Sequence, residues 1–544
     1  MNRINILDCT LRDGGYINNF EFGFPVIQSI IHNLNQAAIE IIECGFLKSG
    51  EFNDNKTLFG SVEAVRKVVG NKNPNIMYVA MLQFGKISNE EITPYDGSSV
   101  DGIRITFHKH EIEPSFILGE QLMQKGYKVF MQPVGTMTYT DENLLKLIKR
   151  VNQLKPFAFY LVDTLGTMYK NDLRRMYYLV DNNLDDHIAI GFHSHNNLQL
   201  SFSNAQELMA ISNTRQIIVD SSVYGMGRGA GNLCTELVTQ YINDNIGYRY
   251  DNLYILEIMD RYIRPLNLKF SWGYAAPYYI SSTVNCHPNY ASFLINKQTL
   301  QAKDIYAILN CMSEKKKALY DKEYIAELYL KYMSHTIDEQ AALIEITESI
   351  GNKKVLIMAP GKSLKENEED IITYINQNQL YVISVNFIPD NIKTDMLFIS
   401  NMKRFKNVLE VNDKLNENIR IVITSNIKTD EKDFLKINYA DYLNEETTIS
   451  DNAGLMCINL LKKIGSERVI LAGFDGFQQN LKENFYSDNL LMDVEIERLE
   501  RMNRATSEKL IQLQNKMKIE FITPSIYKDV TVKESRGQPI NGAL

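Results

Sequence analysis

Eight short, β-rich apolar runs, set roughly 25 to 35 residues apart, dominate the first half of this chain: INIL, IEIIECGF, IMYVAML, VDGIRITF, YKVFMQPV, FAFYLVD, HIAIGFH and RQIIVDSS. Each is followed by a helix-length segment, so strand and helix alternate from Ile4 to about Gly247. Alternation of this kind makes neighbouring strands parallel, and eight such units within about 250 residues are the size of a closed (β/α)8 barrel. An open, doubly wound parallel sheet is the competing architecture.

The rest of the chain changes texture twice. From Asn252 to Ser349, segments such as NLYILEIMDRYI, TLQAKDIYAILNCM and YIAELYLKYM carry apolar residues three and four apart, the period of amphipathic helices. Beyond Gly351, VLIMAPGKSL, LYVISVN, DMLFIS, IRIVITS and ERVILAGFDGF read as buried strands ending in small or polar residues, which predicts a Rossmann-like α/β domain. The segment from Ser487 to Met517 reads as a charged amphipathic helix. The expected organisation is a catalytic barrel over 1–250, a helical appendage over 251–350 that completes its site, and an α/β domain over 351–544. A chain of 544 residues is long enough for several cores.

Composition narrows the function. A net charge of −8 without a long Lys/Arg block speaks against a nucleic-acid surface. No run of eighteen apolar residues predicts a membrane span, and the N-terminus lacks the apolar core of a signal peptide. The six cysteines are scattered with no CxxC pair, fitting reduced thiols and a cytoplasmic location.

In a barrel of this kind the reactive groups sit where strands run out into the following loops. The first strand leads into DCTLRDGGY, which places Arg12 and Asp13 at the rim, and the seventh ends in GFHSHNN. Strand residues two apart face the same side, so His193 and His195 can share one cation with the Asp13 carboxylate. Two imidazoles and a carboxylate suit a divalent metal, with Mn²⁺ expected and Mg²⁺, Co²⁺, Fe²⁺ or Zn²⁺ as alternatives, and leave positions open for a bidentate 2-oxo acid. The loop GMGRGAGN after the eighth strand is rich enough in glycine to offer backbone amides to an anion.

Taken together, LDCTLRDGGY, IECGF, YLVDTLGTM, GFHSHNN and GMGRGAGN resemble the DRE-TIM metallolyases, the superfamily of HMG-CoA lyase and the pyruvate carboxylase barrel, and within it most closely the 4-hydroxy-2-oxovalerate aldolases, over roughly residues 4 to 300. The resemblance implies Asp13, His193 and His195 as metal ligands and Arg12 as the group that stabilises a pyruvate enolate. It also implies Glu43, Arg104, Asp163, Thr164 and Asn232 as groups lining the substrate cavity, and a 2-oxo acid and an aldehyde as reactants. Where such aldolases carry a His three places after the Asp, this chain has Tyr16. The base is therefore left open among Tyr16, a water on the metal, His108 and Tyr278. A Claisen-condensing synthase of the citramalate or isopropylmalate type uses the same motifs, and a metal-binding scaffold is the non-enzymatic alternative. Association through helical regions is implied, so a homo-oligomer is expected.

In the last domain, VLIMAPGKSL puts Gly361, Lys362 and Ser363 at a strand-to-helix turn suited to a phosphate, with Asn386 and Asp475 at neighbouring strand ends. The pattern resembles Rossmann-like sialyltransferase-type and motility-accessory glycosyltransferase domains, which implies a nucleotide or nucleotide-sugar ligand and a place in surface-carbohydrate metabolism. None of the eight histidines lies beyond His335, so a nucleotide-sugar or phosphosugar binding role is expected there in preference to transferase chemistry, with a degenerate structural module as the alternative.

Overall fold

A computed structural model describes residues 4–528 apart from residues 213, 298, 318, 412–418, 430–432, 479–483 and 488–495. Eight parallel strands follow the eight runs of the sequence: β1 (Ile4–Asp8), β2 (Ile41–Leu47), β3 (Met77–Gln83), β4 (Gly102–Phe107), β5 (Lys128–Pro133), β6 (Ala158–Asp163), β7 (Ala189–Ser194) and β8 (Ile217–Ser221). β1 pairs with β8 on one side, with Ile4 opposite Ile217, and with β2 on the other, with Leu7 opposite Ile41. That double pairing closes the ring and excludes the open sheet. A two-residue strand, Leu58–Phe59, adds to β2 outside the ring.

Alternation along each strand decides what the barrel holds. One set of side chains, including Ile6, Ile42, Ile103 and Val219, packs outward in the layer shared with the surrounding helices. The other set points inward, where Leu7, Ile41, Val79, Phe130, Ala158 and Ile218 form an apolar plug. The same inward parity continues to Glu43, Arg104, Gln132, Tyr160, His193 and Asp220, so strand geometry alone delivers a polar layer above the plug.

The chain divides into two compact units, Met1–Ser292 with Leu309–Tyr320, and Phe293–Ile308 with Asp321–Leu544. The helical stretch expected as one appendage is therefore shared between them. In the first unit, helices such as Asn252–Ile258 and Ala276–Thr283 join the barrel. The His287 N–H donates to the Lys317 carbonyl at 2.8 Å.

The second unit holds a seven-stranded parallel sheet: β9 (Val355–Met358), β10 (Tyr381–Val385), β11 (Met396–Ile399), β12 (Arg420–Thr424), β13 (Leu435–Ile437), β14 (Arg468–Ala472) and β15 (Lys518–Phe521). The spatial order is β13-β12-β11-β10-β9-β14-β15, so the winding reverses between β9 and β14. The edge strands β13 and β15 escape the sequence reading because they are short and carry Lys436, Lys518 and Glu520, as edges exposed to water do. The amphipathic segment near the C-terminus forms a helix over Ile496–Gln514.

Candidate metal centre

Asp13 leaves the loop after β1, where its N–H donates to the Cys9 carbonyl at 2.8 Å, and meets His193 and His195 at the end of β7. One ligand atom from each of the three lies within 4.8 Å of the others, a spacing that a single cation can bridge. Burial pushes the His195 imidazole down to about 3, so it is neutral at pH 7 and offers a lone pair. Burial alone would raise the Asp13 carboxyl, but the charge of Arg12 above all, with that of Arg228, overcomes it and holds the group well below the usual carboxylate range.

The layer beneath is a continuous ionic network. Arg12 donates through Nε to Glu43 at 2.7 Å and through Nη1 to Asp13 at 2.5 Å. Arg104 lies 2.8 Å from the same Glu43 oxygen, pairs with Asp220, and stacks on the Tyr160 ring with 4.8 Å to its centroid. Asp220 also sits 3.0 Å from His193 Nδ1 and accepts from the Tyr160 hydroxyl at 3.0 Å. With Nδ1–H facing that carboxylate, His193 Nε2 is left as the donor to a metal. The formal charges of Arg12, Arg104, Asp13, Glu43 and Asp220 sum to −1. A dication and a monoanionic 2-oxo acid would together bring that total to zero.

Asn232 closes the site from the loop after β8. Its Nδ2 donates to Asp13 Oδ2 at 2.7 Å, while its Oδ1 is buried without a hydrogen-bond partner. Gly227 makes this approach feasible, since a Cβ there would stand 2.5 Å from Asn232 Nδ2 and 3.2 Å from Asp13 Oδ2. Arg12 Nη2 is likewise buried and unpartnered. Unsatisfied buried polar atoms are costly, so their concentration around the three-ligand cluster fits a site built to receive a polar group. The donor set suits a divalent metal: one anionic oxygen, two neutral nitrogens, and a carboxylate behind His193 to fix its orientation.

Glu43 and Arg104 are fully buried and paired with each other, and Glu43 also holds Arg12. Asp163 accepts from the backbone N–H groups of Thr167 and Met168 at 2.9 and 3.1 Å, and the Thr164 hydroxyl accepts from the Gly135 N–H at 2.9 Å; both fasten loops. In the glycine-rich loop the Ala230 N–H donates to Asn197 Oδ1 and the Gly231 N–H to the Arg228 carbonyl. Tyr16 lies under Arg228, with 4.1 Å from the guanidinium to its ring centroid. Burial raises its pKa despite Arg228 and Arg12, so the phenol keeps its proton at neutral pH.

Sequence reasoning passed over Asp220, Tyr160, Gln132 and Arg228. Asp220 was detectable as a carboxylate of inward parity in the otherwise apolar run IIVD. Tyr278 and Pro288 come within 3.6 Å of a Cβ built on Gly229, which places the helical segment of this unit against the last loop. Burial also pushes the nearby His287 down to about 4.

Comparison with known proteins follows the same lines. Residues 121–257 match the HMGL-like family model. The oxaloacetate decarboxylase of Mycobacterium tuberculosis is 28% identical over 235 residues, which are 42% of this chain and 66% of that protein. The 4-hydroxy-2-oxovalerate aldolase of Moorella thermoacetica is 26% identical over 295 residues, 51% of this chain and 83% of the relative. A solved structure of the HMG-CoA lyase from Brucella melitensis overlaps 49% of this chain and 100% of its own length, at 15% identity and a TM-score of 0.40. The HMGL-like stretch runs from the helix before β5 to the helix after β8 and contains both histidines of the cluster.

In the second unit the predicted turn is closed on itself. The Gly361 N–H donates to the Gly473 carbonyl at 3.1 Å, and Ser363 donates its N–H to Asp475 at 2.7 Å and its hydroxyl to the same carboxylate. Lys362 points to Glu366, 3.4 Å away. An anion expected at this turn finds the Asp475 carboxylate already in its place. Asn386, in a left-handed conformation with φ 64°, accepts from the Ser400 N–H at 3.1 Å. Gly361, Asn386 and Asp475 nevertheless line one common cavity.

Proposed function

We propose that the barrel is a divalent-metal-dependent aldolase or lyase that makes or breaks a carbon–carbon bond next to the 2-oxo group of a pyruvate-type acid, with an aldehyde as the second reactant. The convergence of Asp13, His193 and His195 beside the unpartnered Nη2 of Arg12 carries this reading. The names of the two relatives point the same way, since both activities cleave a carbon–carbon bond of a 2-oxo acid.

A bound dication, with Mn²⁺ expected and Mg²⁺, Co²⁺ or Zn²⁺ as alternatives, supplies Lewis-acid polarisation of the 2-oxo group. Arg12, fixed by Glu43 and Asp13, presents an N–H where negative charge grows on the enolate oxygen. Asn232 holds the Asp13 carboxylate in place and offers Oδ1 to the same space. Tyr16, protonated at neutral pH, donates a proton in the direction that quenches the enolate and takes it back in the reverse. Glu43, Arg104, Asp163 and Thr164 position the groups around them.

That proton inventory favours a second reading, decarboxylation of a 2-oxo diacid, because loss of CO₂ needs an acid for the enolate and no base for a hydroxyl. Three incubations with the Mn²⁺-loaded protein separate the readings. A 4-hydroxy-2-oxo acid should release pyruvate and aldehyde. Pyruvate from oxaloacetate alone supports the decarboxylase, and thiol release from acetyl-CoA with a 2-oxo acid supports Claisen condensation. Absence of turnover in all three would leave only a scaffold.

For the whole chain, the reading is a cytoplasmic, homo-oligomeric enzyme of surface-carbohydrate metabolism whose second unit binds a nucleotide sugar. No helix among the described residues is long and apolar enough to cross a membrane, and the six cysteines are unpaired.

A further inference from the structure

The cavity of the second unit, about 220 Å³, opens at the carboxyl ends of β9, β10, β11 and β14, where the strand order reverses. Open parallel sheets bind ligands at that crevice. On the β9–β14 side the turn has less to offer an anion, because Gly361 and Ser363 spend their N–H groups on Gly473 and Asp475. The side after β11 has the opposite character. Lys403 and Arg404 stand in the first turn of the helix Met402–Val411, and Lys297 and Arg498 line the same space.

Basic side chains in a first helical turn face the positive pole of the helix, which favours carboxylates there. The Asn401 side chain accepts the Arg404 N–H at 2.9 Å and caps this helix, which leaves the basic side chains themselves to draw an anion into the cavity. Among the described residues, the carboxylates that line the cavity each accept a hydrogen bond. Asp475 is held by Ser363, and Asp451 accepts from the Tyr329 hydroxyl at 2.7 Å. Phe474 and Phe485 give the remaining wall an apolar, aromatic surface.

We propose that this cavity binds a phosphorylated small molecule, with its phosphate or pyrophosphate held by Lys403 and Arg404 and its remaining part laid against the aromatic wall. The inference rests on reading the second unit as a ligand-binding one and is independent of the barrel's chemistry. It moves the anion from the Gly361–Ser363 turn to the opposite side of the cleft.

Titration calorimetry of the full-length protein with inorganic pyrophosphate, with UDP and with a UDP-sugar tests it. Wild type should bind pyrophosphate, and K403Q/R404Q should weaken that binding by about 10- to 100-fold, as expected for loss of charge-assisted hydrogen bonds. K362Q, which removes the cation of the closed turn, should leave it within about twofold. An unchanged thermal unfolding midpoint and unchanged barrel activity in the double variant establish that it is folded. Pyrophosphate binding with nothing gained from the sugar nucleotide would remove the nucleotide-sugar reading and leave this inference standing. Failure of wild type to bind pyrophosphate and UDP, or binding lost in K362Q and kept in K403Q/R404Q, would overturn it.

Discussion

Asp220 acts on the metal centre without belonging to it. Its contact with His193 Nδ1 sets the tautomer and the ring plane, and its pairing with Arg104 fixes the carboxylate in turn. Replacing it with Asn keeps the volume but weakens the orienting bond and leaves Arg104 with less countercharge. Asp220→Asn is expected to lower Mn²⁺ affinity by about 10- to 100-fold, read by competition with a chelating indicator. Equal affinity in variant and wild type would show that His193 needs no such support. At this scale the cluster of Asp13, His193 and His195 was legible in the sequence and the groups around it were not. Asp13, His193 and His195 stand out because polar residues at strand ends have few structural uses, whereas Glu43 and Arg104 look the same whether they face a substrate or each other. Only the inward parity shared by β2, β4 and β8 brings those two side chains and Asp220 into one layer.

The eight barrel strands were legible because each is an uninterrupted apolar run bounded by turn residues, and burial on both faces demands such runs. The helical stretch was legible in type but not in allegiance. Three-and-four spacing declares an apolar face without naming what it covers, so the division after Ser292 could not be read from it. Loop fastening at the end of β6 offers a test at this scale. Burial raises Asp163 to about 6, against the N–H bonds from Thr167 and Met168 that favour the charged form. Its folded pKa thus lies above the unfolded value of 3.8, so the folded state holds the proton more tightly. The contribution is complete below the unfolded pKa and is lost as pH rises through the folded one. The stability of wild type relative to Asp163→Asn should therefore fall between pH 4 and pH 7 by on the order of 3 kcal/mol, measured by urea unfolding at both values. A difference independent of pH would mean that Asp163 stays ionised in the fold.

Across the molecule, two parallel α/β units each place their polar groups at the carboxyl ends of their strands, and the two sites differ in sign. The barrel brings the Asp13 carboxylate together with the imidazoles of His193 and His195, and the cavity of the second unit is lined by lysine and arginine. Sequence pointed to the strand ends where the three-residue cluster and the cavity lie, and read the second from its glycine turn, where Gly361 and Ser363 spend their N–H groups on Gly473 and Asp475. The account as a whole depends on the barrel's ability to enolise a 2-oxo acid. Exchange of the pyruvate methyl protons in D₂O, followed by NMR on the Mn²⁺-loaded protein, measures that step without knowledge of the aldehyde. Wild type should exchange well above the rate with Mn²⁺ alone, and Asp13→Ala and His195→Ala should both return to that background. Full exchange retained in either variant, or none in wild type, would contradict the assignment of the metal centre.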